Sequence, residues 1–313
     1  MTSLVTGAGL VGTAYACEAL KHNEEIVFYD TKPDLDYLHI KLGDASFSTV
    51  LGDLRDLPAL VDTMAGHAPE VVVHTAGLIG NSVSDHMYTG FQVNIQGTIN
   101  VLEAVRLTGV RKFVHVSTFG VYDLSLANGG SIDEDFPRGG RVPYPASKIA
   151  NEHIVEAYAA RYGFEFVIVR PANVFGYGHF RGGSGGGRTM QSLVEAGISG
   201  KPLTIPAARA RDFEYIYCKD LGRALDLTVK TSAASNTSIN IGNGNIVPFD
   251  DLVETLHSVF PNLEVAISQA NEPHQSPQQP MNISRAKDLL GWEPEYSIVN
   301  AFKDYVEEYK TAY

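Results

Sequence analysis

The chain has 313 residues, 44% of them hydrophobic and 19% charged, a balance that supports one large globular domain or two lobes on a shared core. Its formal net charge of −12 argues against a general role on nucleic acid or on an anionic membrane, although local donors could still hold a phosphorylated ligand. Two cysteines far apart in sequence, Cys17 and Cys218, make neither a disulfide framework nor a metal-ligand cluster.

No basic segment precedes the first apolar run, and no stretch of about 18 apolar residues occurs. A cytoplasmic protein without a membrane partner is therefore expected. Short apolar runs at 3–5, 25–29, 46–51, 70–74, 112–117 and 165–170 read as strands. Most lack clean alternation, as suits strands covered on both faces. Helical patterns fall between them at 11–21, 57–65, 90–108 and 146–162. This alternation predicts an α/β fold with a doubly wound parallel sheet of Rossmann type. The character changes after Arg170. A glycine-rich stretch at 176–188 reads as a surface loop or a lid. Mixed short elements follow, then a proline- and glutamine-rich connector at 271–280 and a terminal helix near 298–310. The division expected is a dinucleotide-binding unit over 1–172, to which some later segments return, and a smaller mixed α/β substrate lobe over 173–313.

The first strand runs into Gly7, Gly9 and Gly12 in Gly-x-Gly-x-x-Gly spacing. Gly7 would make the tight turn, Gly9 would let backbone approach a pyrophosphate, and Gly12 would let helix pack on strand. Asp30 ends the second strand, eighteen residues beyond Gly12. A carboxylate there accepts from ribose hydroxyls and repels a 2′-phosphate, which favours NAD over NADP. Asp53 reads either as a contact to the adenine amino group or as a helix N-cap.

Further on, Tyr144 precedes Lys148 by four residues, so a helix would set both on one face. An ammonium beside a phenol would lower the phenol's pKa and make it a general base or acid. Thr118, at the end of the fifth strand, could bond the same substrate oxygen. His74 and His115 read as core histidines satisfied by backbone, and Tyr122 as packing. His179 and His274 fall in loops where they could touch a ligand.

At this point the sequence resembles the extended short-chain dehydrogenases/reductases, the class of NAD-dependent sugar epimerases and dehydratases. The resemblance rests on ordered blocks along nearly the whole chain, among them TGAGLVG, GDLRD, VVVHTAG, NIQGTINVLEAVR, VSTFGVY, YPASKIANE, VRPANVFG, RDFEYIYCKDLGRAL, INIGNG and NISRAKDLLGWEPEYS. The first glycine motif is one residue shorter than the family's usual form. The resemblance implies an NAD-dependent enzyme with Thr118, Tyr144 and Lys148 as its catalytic set. It implies cofactor contacts from Gly7, Gly9, Leu10, Val11, Gly12, Asp30, Asp53, Leu54, Thr75, Ala76, Gly77, Ser117, Tyr144, Lys148 and Pro171. Asn94 would support the cofactor or the active-site helix. Thr118, Asn173 and Arg211 would face a small-molecule substrate, and a homodimer through the helices of Asn94 and Tyr144 is expected.

Relatives that eliminate water usually carry an acid after this threonine, whereas this chain has Phe119 and Gly120. Epimerisation of a nucleotide sugar through a keto intermediate is the first expectation. Net oxidation or reduction of a smaller polyol, sugar acid or hydroxy-carbonyl compound is the alternative. Arg211 matches a family arginine that contacts a diphosphate, with Arg209 beside it. The family's second phosphate arginine has no match, because 271–282 contains no Lys or Arg. Arg181 and Arg188 either compensate or are solvated surface residues. A non-catalytic NAD-sensing protein would be expected to lose Tyr144 or Lys148.

Overall fold

The inner strands of the main sheet are buried on both faces, because helices cover both. The computed structural model describes residues 1–178, 184–268 and 278–312. The chain begins β1 (Thr2–Thr6), α1 (Leu10–Leu20), β2 (Glu25–Asp30), α2 (Leu35–Leu42), β3 (Ser48–Leu51), α3 (Leu57–His67) and β4 (Val71–His74). It continues through α4 (Asn81–Ser84), α5 (Met87–Phe91), one π-helical turn (Gln92–Gln96), α6 (Gly97–Thr108), β5 (Lys112–Val116), α7 (Pro143–Tyr162), β6 (Glu165–Pro171) and β7 (Asn173–Phe175). The remainder is α8 (Gly185–Ser199), β8 (Leu203–Pro206), β9 (Tyr215–Tyr217), α9 (Cys218–Lys230), β10 (Thr237–Ile241), α10 (Phe249–His257), β11 (Val265–Ser268), α11 (Ser284–Leu290) and α12 (Ile298–Ala312).

Seven parallel strands form the main sheet in the order β10-β6-β5-β4-β1-β2-β3. Alternate residues serve opposite layers, as the pleat requires. Val5, Ile26, Phe28, Val71, Val73 and Val114 join one buried cluster with α1, α2, α9 and α11. Leu4, Val27, Tyr29, Val72 and Phe113 join another with α3, α6 and α7. The doubly wound α/β reading is thereby met. The seventh strand, β10, comes from the second half of the chain and pairs with β6. Ile216, Leu221, Ile241, Met281 and Trp292 also pack into the first cluster. A separate cluster of Phe175, Met190, Tyr215, Phe249 and Phe302 forms the core of the smaller lobe.

Three differences from the sequence reading have plain causes. Helix α2 was not expected; it is capped by Asp34, which accepts from Tyr37 N at 3.0 Å. The helix expected over 90–108 is interrupted by the π turn around Asn94. Gly185–Arg188, expected within a loop, are the first turn of α8, started by Ser184, whose hydroxyl accepts from Gly187 N at 3.1 Å. Gly186 serves close packing, since a Cβ there would lie 2.8 Å from Asn173 Oδ1, whereas Gly185 faces open space. His179, Arg181 and His274 lie outside the described residues.

Candidate active site

In a parallel sheet all C-terminal strand ends share one edge. Here that edge gathers Gly7, Asp30, Thr75, Thr118 and Pro171, and its crevice opens where strand order reverses between β1 and β4.

The crevice is built by glycine. Gly7 has φ +88°, and a Cβ there would lie 2.9 Å from Thr75 Oγ1. A Cβ on Gly12 would collide with Gly7 O, so α1 packs directly on the turn. Gly9 faces open space with nothing within 4 Å of its Cβ position. Gly9 is also the N-cap of α1 and has no side-chain cap, so the first-turn N–H groups of Leu10, Val11 and Gly12 point out unpaired within the helix. The side chain of Leu10 is buried in the smaller lobe's core and that of Val11 packs on the first cluster, leaving their backbone for a ligand.

Asp30 is half-buried. Its Oδ2 accepts from Ala8 N and its Oδ1 from Lys32 N, each at 2.8 Å. Carboxylate lone pairs remain for ribose hydroxyls. Ala8, Gly9, Asp30, Lys32 and Asp34 line a cavity of about 570 Å³. Open space at Gly9, bare helix N–H groups and a placed carboxylate fit a dinucleotide, and three acids (Asp30, Asp34 and Asp36) around the cavity disfavour an extra phosphate. Thr75 anchors the opposite wall by donating to Thr6 O at 2.8 Å, and Ala76 and Gly77 follow it half-exposed.

Asp53 does not end β3 and does not cap α3; Asp56 caps it, accepting from Ala59 N at 3.1 Å. Both oxygens of Asp53 are taken by Arg55 Nε at 3.0 and 3.1 Å, and this pairing holds its carboxyl below the usual range. Leu54 is buried against Gly97, so any ligand contact it makes is restricted to backbone or its edge.

At the other side of the crevice, Thr118 leaves β5 in extended backbone and its Oγ1 accepts from Gly120 N at 3.2 Å. Tyr144 and Lys148 share the first turns of α7. Lys148 is buried and donates to Val116 O at 2.8 Å, tying α7 to the end of β5. Burial pulls its pKa down to about 8, against a smaller upward pull from Glu152. Burial pushes the Tyr144 phenol up. This corrects the expected direction: in the chain by itself desolvation decides, and the ammonium is directed to a backbone carbonyl. Phe119 packs on the apolar core and a Cβ on Gly120 would lie 3.3 Å from Pro145, so neither brings a proton donor beside Thr118.

Asn94 acts as a clasp. Its Nδ2 donates to Leu78 O at 2.9 Å and Ser147 Oγ at 3.2 Å, while its Oδ1 accepts from Leu78 N at 2.8 Å. Its backbone O accepts from Asn151 Nδ2 at 2.9 Å. The π turn thus joins the loop after β4 to the helix of Tyr144. Ser117 points inward instead, donating to Glu152 Oε1 at 2.6 Å. Glu152 is fully buried and accepts from Arg170 Nε at 3.0 Å and Nη2 at 2.7 Å, and from Arg138 Nη1 at 3.0 Å. Tyr122, read as packing, accepts from Arg170 Nη1 at 3.0 Å and donates to Asn240 Oδ1 at 2.5 Å. The histidines also differ from expectation. His74 bonds the hydroxyls of Thr6 at 2.6 Å and Thr98 at 3.0 Å rather than backbone. His115 stacks on His74 with both ring nitrogens unpartnered.

On the smaller lobe's side, Pro171 is buried at the end of β6. Asn173 is buried as well, its Nδ2 donating to Glu214 O at 3.1 Å and Gln278 Oε1 at 3.2 Å. Arg211 lies over the Phe213 ring at 5.1 Å. The sequence reading missed Glu152, Arg170 and Glu214. Arg170 and Glu214 are charges among apolar neighbours, a signal that could have marked them, whereas Glu152 stands between Asn151 and His153 and carries no such signal. Glu214 accepts from Gly244 N at 2.8 Å and Met281 N at 2.7 Å, and burial pushes its pKa up to about 7.

Known proteins resemble this chain along its length. The model of the NAD dependent epimerase/dehydratase family matches residues 3–242. A UDP-glucose 4-epimerase of Mycolicibacterium smegmatis is 29% identical, with 99% of each chain covered. A dTDP-glucose 4,6-dehydratase of Xanthomonas campestris pv. campestris is 26% identical over 99% of this chain and 93% of its own. The crystal structure of UDP-glucuronic acid 4-epimerase from Bacillus cereus, in complex with UDP-glucuronic acid and NAD, superposes with a TM-score of 0.85 at 25% identity, covering 100% of both chains.

Proposed function

The chain belongs to the NAD dependent epimerase/dehydratase family, and from that membership we propose that it inverts one secondary carbinol of a nucleotide-linked sugar through a keto intermediate. NAD, when bound, supplies the acceptor and donor of hydride. Gly7, Gly9, Gly12 and the first-turn N–H groups of α1 hold its pyrophosphate, and Asp30 takes a ribose. Leu10, Val11, Asp53, Leu54, Thr75, Ala76, Gly77, Ser117 and Pro171 line the remainder of that path.

Tyr144 moves the proton. As a neutral phenol it donates to the oxygen of a keto sugar; as a phenolate it takes the proton of the carbinol. Lys148, donating to Val116 O, holds the first turns of α7, and Tyr144 with them, at the end of β5. Thr118 bonds the same substrate oxygen and fixes its position, while Asn94 keeps the helix of Tyr144 in place. Asn173 and Arg211 face the substrate from the smaller lobe.

The observation that carries this reading is the inventory of proton carriers beside Thr118. Epimerisation needs only Tyr144. Elimination of water needs a second acid and base, and the two following positions hold a packed Phe119 and Gly120. A second reading, net oxidation or reduction of a smaller polyol or sugar acid, is favoured by the lack of Lys or Arg over 271–282.

The test is the fate of the cofactor. Protein purified without added nucleotide is denatured and the released nucleotide identified. An epimerase regains its oxidised cofactor each cycle and benefits from retaining it, so near-stoichiometric NAD is expected, with UDP- or GDP-sugars inverted without NADH accumulating. A chain that emerges empty and accumulates NADH with a polyol or sugar acid would establish the second reading instead.

Two further proposals concern the setting. A homodimer through α5, α6 and α7 is supported by exposed Met87, Tyr88, Leu107 and Tyr162 on those helices. A cytoplasmic location is supported by the unpaired thiols of Cys17 and Cys218. Among the described residues no helix is long and apolar enough to cross a membrane.

A further inference from the structure

Two histidines stack inside the molecule with ring centroids 5.5 Å apart, and the fold treats them differently. Among the described residues neither ring nitrogen of His115 has a partner. His74 is bonded at both: Nδ1 lies 2.6 Å from Thr6 Oγ1, and Nε2 lies 3.0 Å from Thr98 Oγ1. Thr6 and His74 are partners in register on β1 and β4, and Thr98 stands at the start of α6. All three side chains are buried. Burial, and after it the charge of Lys148, lowers the pKa of His74 to about 3, so at neutral pH the ring is uncharged and carries a single N–H. The direction of each bond then follows from counting protons. Thr98 has one hydroxyl proton, and it goes to Asn94 O at 2.6 Å, because a carbonyl can only accept. The Thr98 oxygen therefore accepts from His74, which places the ring proton on Nε2. Nδ1 is left bare and accepts from the Thr6 hydroxyl. The opposite tautomer would turn a bare Nε2 towards an oxygen whose proton is already given to Asn94.

The chain of bonds ends at a residue that braces the candidate active site. Asn94 lies in the π turn, which Gly97 N closes by donating to Gln92 O, five residues back. Asn94 O receives a second donor, Asn151 Nδ2, at 2.9 Å, and Asn94 Nδ2 donates to Ser147 Oγ at 3.2 Å. Ser147 and Asn151 stand either side of Lys148 on α7, the helix of Tyr144. We propose that His74 is a positioning residue for the reaction: in its Nε2–H tautomer it aims the Thr98 hydroxyl at Asn94 O and so locks the π turn against the helix that carries Tyr144 and Lys148. His74 is buried and acts through Thr98 and Asn94 alone. Misplacing a reacting group by about 1 Å costs about a hundredfold in rate, so a lock on this helix has kinetic weight. The part played in turnover rests on the epimerase reading above; the tautomer and the lock do not.

Spectra, amide exchange and turnover of the NAD-saturated full chain test this. Ring-nitrogen NMR, with the His74 signals identified by their loss in His74→Gln, should show a neutral Nε2–H ring between about pH 6 and pH 8. A charged ring or an Nδ1–H ring overturns the assignment. Thr98→Val removes the link. Amide exchange over 92–98 should then quicken about tenfold while exchange in α9 is unchanged, and kcat should fall about tenfold to a hundredfold with KM within about twofold. His74→Gln sets an amide N–H where Nε2 stood and should keep most of the turnover. His74→Asn reaches only the position of Nδ1 and should lose turnover as Thr98→Val does. His115→Phe keeps a stacked ring and breaks no bond, so exchange over 92–98 and kcat should match wild type. Unchanged exchange over 92–98 or unchanged kcat in Thr98→Val overturns the lock. Equal losses in His74→Gln and His74→Asn, or a loss in His115→Phe as large as that in Thr98→Val, make the effect one of packing and also overturn it. A wild-type chain that inverts no UDP- or GDP-sugar fails the epimerase reading, and the spectra and exchange rates then decide the lock by themselves.

Discussion

Tyr144 and Lys148 show how burial and charge compete over one pair. The ammonium sits below its ordinary pKa and the phenol above, both chiefly through desolvation. Near pH 7 the unliganded chain thus carries a neutral phenol and a charged lysine. Tyr144→Phe is expected to reduce turnover by about 10²- to 10⁴-fold while NAD still binds. Equal turnover in the variant would remove Tyr144 from the chemistry. Lys148 also predicts a pH dependence of stability. Its folded pKa of about 8 lies below the ordinary 10.5, so between those values the unfolded chain holds a proton that the folded chain has released. Stability from this group therefore rises with pH across that window, by about 1.4 kcal/mol per pH unit at most. Lys148→Met should be favoured over wild type at pH 7 and lose that advantage by pH 10. Urea midpoints at the two pH values would show this, and a constant gap would contradict it.

At the scale of elements, the turn between β1 and α1 separates glycines that shape the fold from one that admits a ligand. Gly12 abuts Gly7 O, while Gly9, at φ −87°, faces open space. Gly12→Ala is expected to destabilise the cofactor-free chain by about 1–3 kcal/mol. Gly9→Ala should leave its melting temperature unchanged and weaken NAD binding at least tenfold, since the added methyl stands where phosphate approaches. Calorimetry with and without NAD separates the two, and a Gly9→Ala chain that binds NAD normally would refute the placement of the pyrophosphate. The spacing of these glycines was legible in sequence because a tight turn tolerates few residue types. Their division of labour was not, because it depends on what Thr75 and Val5 bring against them. The π turn at Asn94 was equally hidden: its bonds run to Leu78, Ser147 and Asn151, segments remote in the chain.

At the scale of the molecule, a buried polar network binds early and late segments together. Glu152 on α7 meets Ser117, Arg138 and Arg170, and Arg170 reaches Glu134 O and Tyr122, which in turn meets Asn240 on β10. Breaking one partner of a buried pair leaves the other charge uncompensated. Arg170→Met is expected to cost about 3–5 kcal/mol. Adding Glu152→Met should recover part of that loss, so the double variant should be more stable than the sum of the single effects. Strict additivity in the denaturation midpoints would mean that the two charges do not couple.

The sequence by itself determined the parallel α/β sheet, the glycine turn with Asp30, and the triad of Thr118, Tyr144 and Lys148 as candidates. These follow from local rules: apolar runs doubly covered, spacing within one helix, and residue types that a turn demands. Only the tertiary structure decided that β10 completes the sheet, that Arg55 occupies Asp53, that desolvation governs the Tyr144 and Lys148 protons, and that Glu152 meets Arg170 inside the fold. Strand order, burial and the meeting of charges are set by contacts between distant segments, and those contacts fix the energy of a charge or an unmet donor.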